Sequence, residues 1–200
     1  LVAARKSGQL TARELVAYFL GRIEQHNTTL HALVTVTADE ALRRAELMDQ
    51  GHVDPGILWG FPFADTDLSH RAGVPTGWGS RVGTAAPIPD ISDPVVVAMD
   101  VAGGISLGKS AVCEFGLSSY TESEVFPPTK NPFSLLHGSG GSSGGAAAGV
   151  AGGLLPLSPG SDGGGSISIP PWTCGLVGMK PSRGPRPARP GCESLGGLRV

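Results

Sequence analysis

Charge is what this sequence has least of. Only 16 % of its 200 residues are Asp, Glu, Lys or Arg, while 40 % are apolar; an ordinary soluble domain carries about 25 % charged residues. That excludes a solvated, self-repelling chain as a description of the whole. The charges nearly cancel, at a formal −2, so there is no broad positive field, and neither nucleic acid nor a membrane surface is expected as a partner. The most apolar uncharged stretch, Ala146 to Leu157, is rich in glycine and alanine and contains Pro156, well short of the roughly 20 apolar residues that span a bilayer. Cysteine is scarce and odd in number: Cys113, Cys174 and Cys192 show no CxxC or Cys/His metal spacing. Reduced, buried thiols in a cytoplasm fit better than a disulfide framework. Leu1 to Thr11 contains Arg5 and Lys6 but no apolar block before a small-residue cleavage site, so a cytoplasmic location is expected. The missing initiator methionine fits an incomplete sequence.

Glycine is the excess, at 31 residues beside 17 prolines, and 12 of the 28 residues from Gly138 to Gly165 are glycine. A flexible linker fits poorly, because Leu154, Leu155 and Leu157 lie within this stretch, just after 146–151, and a solvated linker has no use for them. The better reading is a glycine turn, a small-residue helix packed tightly on its neighbours, and a second glycine turn at 163–166. Upstream, Thr11-Ala-Arg-Glu14 is a capping-box pattern, followed by Leu15, Val16, Phe19, Leu20 and Ile23 at helical spacing, which predicts an amphipathic helix to about His26. A second box, Thr37 to Glu40, predicts a helix closed at Gly51. From Gly60 onward, short apolar stretches at 60–64, 71–76 and 105–107 read as strands and turns of an α/β sheet.

Three chemistries compete. Gly103 to Ser110 matches the phosphate-loop pattern GxxxxGK[ST], but its best strand, Ile105 to Leu107, lies inside the would-be loop, and no later apolar run ends in a magnesium-binding Asp. A Ser-His-Asp hydrolase would need GxSxG at a strand-to-helix elbow; Gly138 to Gly144 offers a degenerate version, and none of His26, His31, His52, His70 or His137 is marked as a base. The third arrangement is Gly140-Gly-Ser142-Ser143-Gly-Gly145, then Gly160-Ser-Asp162-Gly-Gly-Gly-Ser166-Ile, then Pro170 and Cys174 to Ser182. These residues resemble the amidase signature family, which includes fatty acid amide hydrolases, malonamidases and the amide-transferring subunit of glutamyl-tRNA amidotransferase. The likeness extends to the leading helices, to 60–68 and 72–76, to Gly108-Lys109 with Glu114-Phe115, and to Asn131-Pro132.

The resemblance implies an α/β amidase-signature core, a mixed β-sheet flanked by helices. Residues 1–200 would form part of one amidase domain, with 1–50 a helical lead-in and 57–200 a sheet core carrying the Gly/Ser motifs. It implies a hydrolase that cleaves a small-molecule carboxylic amide to an acid and ammonia or an amine, with no metal or cofactor, through an acyl-serine intermediate. Ser166 would be the nucleophile and Ser142 the cis-serine that passes its proton to a neutral lysine. The amides of Gly163, Gly164, Gly165 and Ser166 would face the oxyanion, and Ser143 and Asp162 would support the turns. Three departures bear on this. Thr66 occupies the general-base lysine position, and threonine cannot accept the proton as a neutral amine would. Ser168 replaces the usual arginine. Family members ordinarily continue well past the position matching Val200, so a domain truncated after the nucleophile region is expected, with an exposed sheet edge suited to aggregation or to pairing, a homo-oligomer among the outcomes. Impaired amide hydrolysis is the first expectation; a catalytically inactive remnant that at most binds a ligand or partner is the alternative, and nucleotide binding through Gly103 to Ser110 is a distant third.

Overall fold

The computed structural model describes residues 1–182, so Cys192 and the end of the expected 57–200 core lie outside the described residues. The elements are α1 (Val2–Lys6), α2 (Ala12–Leu30), β1 (Leu33–Val36), α3 (Ala38–Asp49), β2 (Pro62–Thr66), α4 (Arg81–Thr84), α5 (Pro94–Val101), β3 (Ile105–Ser110), a 3-10 turn (Glu114–Gly116), β4 (Lys130–Asn131), β5 (Ser134–Gly138), α6 (Gly144–Ala151) and α7 (Ile169–Thr173). The Thr11 box forms as read: its hydroxyl accepts from the Glu14 amide while the Glu14 carboxylate accepts from the Thr11 amide. The helix outruns the expected His26 and stops at Leu30, where His31 turns left-handed. Asn27 ends that turn, its Oδ1 accepting from the amides of Ala32 and Leu33 and its Nδ2 donating to Leu33 O.

The second box does not form. Thr37 stands at the N-cap of α3 without a side-chain cap bond, because its amide already donates to Leu107 O and Glu40 is drawn to Arg43 at 2.7 Å. The first fifty residues are mostly helical, but within them Leu33-Val-Thr-Val36 forms β1 and joins the main sheet. That sheet is mixed, in the order β1-β3-β2, with β1 antiparallel and β2 parallel to β3. Every residue of β2 and β3 is buried, the pattern of strands covered on both faces. One cover is the apolar face of α2 and α3, where Leu15, Val16, Phe19, Ile23, Ala41, Ala45 and Met48 meet Ala64, Ile105, Leu107, Ala148, Leu154 and Leu155. Residues 71–76, read among the strands and turns of the sheet, form a turn closed by an isolated bridge between Arg71 and Val74.

The phosphate-loop reading fails on this fold. Lys109 lies within β3 and is fully buried, its ammonium donating to Thr66 O at 3.4 Å and to Ser69 O. No loop is left to cradle a phosphate.

The strand that carries Thr66 is held by buried charge. Arg71 meets Asp65 at 2.6 Å and both oxygens of Asp100 at 2.9 and 3.0 Å, and Ser106 donates to Asp65 at 2.8 Å. Removing one member of a buried pair strands its partner's charge, which costs about 3 to 5 kcal/mol. Arg71→Leu is expected to lower unfolding stability by about that amount, and Asp65→Asn in the same chain to recover part of it. Urea denaturation of the single and double variants measures both.

Candidate active site

Three backbone segments converge at the ends of β2 and β3. Helix α6 consists of Gly-Gly-Ala-Ala-Ala-Gly-Val-Ala, with six buried residues, and its small side chains let it sit against the strands. The Gly145 amide donates to Ala111 O at 3.0 Å, and a side chain on Gly145 would run into the Ala111 nitrogen. Gly144 is as confined, since a Cβ there would collide with the Thr121 hydroxyl. The loop before α6 contains a cis peptide between Gly141 and Ser142.

The loop delivers Ser142 to Ser166. Their hydroxyl oxygens are 2.9 Å apart in a hydrogen bond, and both residues are buried, at 2 % and 8 % exposure. A hydroxyl carries one proton and can rotate, so either serine can donate to the other. The second glycine turn is fastened by Asp162, whose carboxylate accepts from the amides of Gly165 at 2.8 Å and Ile167 at 2.9 Å. Ser143 ties the two loops together, donating to Ser161 O and accepting from Ser161 N, each at 3.2 Å. The structure thus brings together Ser142, Ser143, Asp162, Gly163–Gly165 and Ser166. One detail differs from the sequence expectation: of the four amides expected to face an oxyanion, that of Gly165 is already engaged by Asp162 and does not stand free.

Two contributors are not signalled by any motif. Thr121, 1 % exposed, clamps the cis-serine loop from both sides: its hydroxyl donates to Gly140 O at 2.8 Å, lies 3.3 Å from Ser142 O, and accepts from the Gly144 amide at 3.1 Å. Gly116 lies over the Ser142 hydroxyl, which a Cβ there would approach to 3.5 Å. Thr121 sits among polar residues in a segment without periodicity, and only the Gly pattern it serves could have pointed to it.

Thr66 ends β2, pairs in register with Ser110, and is 6 % exposed. Its Oγ1 is buried without a hydrogen-bond partner. An unpartnered buried hydroxyl costs about 1 to 3 kcal/mol. Next to it, Asp67 accepts from the Gly77 amide and lies 4.0 Å from Lys109 Nζ. Burial pushes the Asp67 carboxyl up, against the pull of its Gly77 bond and the Lys109 charge; burial likewise pushes the Lys109 amine down, against the charge of Asp67. Ser168 stands at the N-cap position of α7 without a side-chain cap bond and donates its amide to Gly165 O. Cys113 and Cys174 are free, buried thiols. Among the described residues no group of three His, Cys, Asp or Glu side chains could hold a metal ion, and no helix is long and apolar enough to cross a membrane.

A family model described as Amidase matches residues 14–197. The chain belongs to the amidase family. This amidase chain is 40 % identical over 186 residues to a glutamyl-tRNA(Gln) amidotransferase subunit of Chromohalobacter salexigens, a match that takes in 92 % of the chain and 38 % of that relative. Among solved structures it resembles a bacterial aryl acylamidase of the amidase signature enzymes, with TM-score 0.79 and 36 % identity over 85 % of the chain and 36 % of the acylamidase. It also resembles 6-aminohexanoate cyclic dimer hydrolase complexed with substrate, with TM-score 0.80 and 29 % identity over 86 % of the chain and 35 % of the hydrolase. The amidase chain therefore spans about two fifths of the length of the curated relatives it matches.

The Thr121 clamp has a measurable signature. Thr121→Val keeps the shape but leaves Gly140 O and the Gly144 amide without their partner, and is expected to cost about 1 to 3 kcal/mol of stability. Amide exchange at Gly144 should accelerate with it, and Thr121→Ser should restore most of both.

Proposed function

We propose that this chain carries the nucleophile of an amide hydrolase that converts a small carboxylic amide to an acid and ammonia or an amine through an acyl-Ser166 intermediate. The observation that carries this reading is the buried 2.9 Å contact between Ser142 and Ser166, beside a turn of three glycines that have no side chains to screen their backbone. A serine hydroxyl attacks poorly until a neighbour accepts its proton. Here Ser166 Oγ forms the new bond to the amide carbon as its proton passes to Ser142 Oγ, and Ser142 gives up its own proton to a base. The carbonyl oxygen gains charge and is met by the amides of Gly163, Gly164 and Ser166, in a turn already fixed by the Asp162 bonds. Collapse of the tetrahedral species breaks the C–N bond, the leaving nitrogen takes a proton, and water then releases the acid.

The weak link is the base. Where the family pattern carries lysine, this chain has Thr66, a short hydroxyl with no partner in the buried site. Lys109 is no substitute in this geometry, since its amine is bound to the carbonyls of Thr66 and Ser69. Without a base the proton of Ser142 has no acceptor of suitable pKa, so the chain as it stands is an impaired hydrolase. The orphaned Thr66 hydroxyl is equally the observation that favours the second reading, a remnant that binds but does not turn over.

Thr66→Lys separates the two. Hydrolysis of an aryl ester should rise at least about tenfold, short of the 10²- to 10⁴-fold that a placed general base contributes. The rate should climb with pH, because only the neutral amine accepts a proton. Esters should gain a measurable rate before amides do, since an alkoxide-like group departs with less proton transfer than an amine. Ser166→Ala should abolish the gain. A folded Thr66→Lys chain with no increase would favour the remnant.

A further inference from the structure

The proton of the serine pair has nowhere to go within the described chain. The Ser142 and Ser166 hydroxyls bond to each other at 2.9 Å, and among the described residues no imidazole, amine or carboxylate bonds to either. A second buried hydroxyl lies close by in the fold. Thr66 pairs in register with Ser110; the next residue, Ala111, accepts the Gly145 amide at 3.0 Å, in the first turn of the helix that Ser142 precedes. Side chains alternate along a strand. Asp65 therefore turns to one face of β2, where it meets Arg71 and Ser106, and Ala64 and Thr66 turn to the other, where Ala64 joins an apolar cluster with Ala148 of α6. The Thr66 hydroxyl thus lies on the face that α6 covers, buried and without a partner.

We propose that the region between Thr66 Oγ1 and Ser142 Oγ is a binding site for a small primary amine, which brings from outside the chain the base that the chain lacks. A neutral amine suits both ends: one N–H donates to Thr66 Oγ1, and the nitrogen lone pair accepts the Ser142 proton. It is uncharged on entry, so burial costs it far less than it would a carboxylate, and it is a much stronger base than a carboxylate or water. In the reaction, Ser166 Oγ bonds to the substrate carbonyl carbon, the Ser166 proton passes to Ser142, and the Ser142 proton passes to the amine, which becomes an ammonium ion. The ammonium returns that proton to the leaving group, and the neutral amine is regenerated. The role of the amine rests on the acyl-Ser166 reading; the site itself rests on the orphaned Thr66 hydroxyl.

The test follows acylation of Ser166 by an activated aryl ester of butyric acid, read by peptide mass, as methylamine, ethylamine, propylamine or butylamine is added at a fixed alkaline pH. Acylation should rise at least about tenfold and saturate, with one chain length best. Trimethylamine, a base of comparable strength without an N–H, should give no such rise. Thr66→Val should raise the half-saturating concentration severalfold, and Thr66→Lys should abolish the response, since its own side chain fills the site. In Ser166→Ala, which cannot be acylated there, the Thr66 methyl resonance should shift on titration with the same half-saturation, a readout that needs no chemistry. Acylation by the aryl ester of γ-aminobutyric acid without added amine would mark the substrate as the source of the base; an amine requirement equal to that of the butyrate ester would mark a free amine. A response linear in amine and shared by trimethylamine, or a half-saturation that Thr66→Val leaves unchanged, overturns the proposal. So does a gain with Thr66→Lys while no amine gives one, which leaves the acyl-Ser166 reading in place. Failure of both Thr66→Lys and the amines to acylate Ser166, with the Thr66 resonance still shifting, overturns that reading and the role of the amine with it.

Discussion

The architecture around Ser142 depends on how closely peptide backbone can approach peptide backbone. Gly144 and Gly145 bring the first turn of α6 against Thr121 and Ala111, and Gly141 lies so near the Tyr120 backbone that a side chain there would stand 2.6 Å from it. Close packing of this kind leaves no room for adjustment, because protein interiors are as dense as organic crystals. The Ser142 hydroxyl is thus placed by the absence of neighbouring side chains more than by any single contact. The hydrogen bonds of Thr121, Ser143 and Asp162 then satisfy the backbone groups that such an irregular path leaves without helix or strand partners.

Around that neutral pair the buried charges have partners. Arg71 neutralises Asp65 and Asp100 on one side of β2, and Lys109 lies beside Asp67 at its end. Thr66 stands between Asp65 and Asp67 in the chain, and its hydroxyl has no partner. A fold that satisfies these carboxylates and cations yet orphans the Thr66 hydroxyl, at the position proposed for the base, is locally inconsistent, and such inconsistencies gather at functional positions.

Much of this was legible in the residues. Thr11 to Glu14 announced a helix start because capping is local chemistry, and the glycine-serine loops announced a tight turn because only glycine tolerates such approach. The Thr37 box misled for a complementary reason: its amide was claimed by Leu107 from 70 residues away, a tertiary bond that no local pattern contains. Strand β1 was missed within a helical stretch because four residues give too little alternation to declare a period. The Gly165 amide was assigned to the oxyanion because the family likeness and the missing side chain show that a donor is at hand and not which acceptor has already taken it. Family likeness shaped the assignment of Ser142, Ser166 and Thr66, and the geometry added what no motif supplies, the 2.9 Å contact between the serines and the unpartnered threonine hydroxyl.

The central claim is that Ser166 is the residue that becomes acylated and that Ser142 only relays its proton. Peptide mapping by mass spectrometry, after brief exposure of the folded Thr66→Lys chain to an activated aryl ester and an acid quench, tests it directly. The predicted result is one acyl group, found on the peptide bearing Ser166 and lost in Ser166→Ala. An acyl group on Ser142, or one that persists after Ser166→Ala, would contradict it.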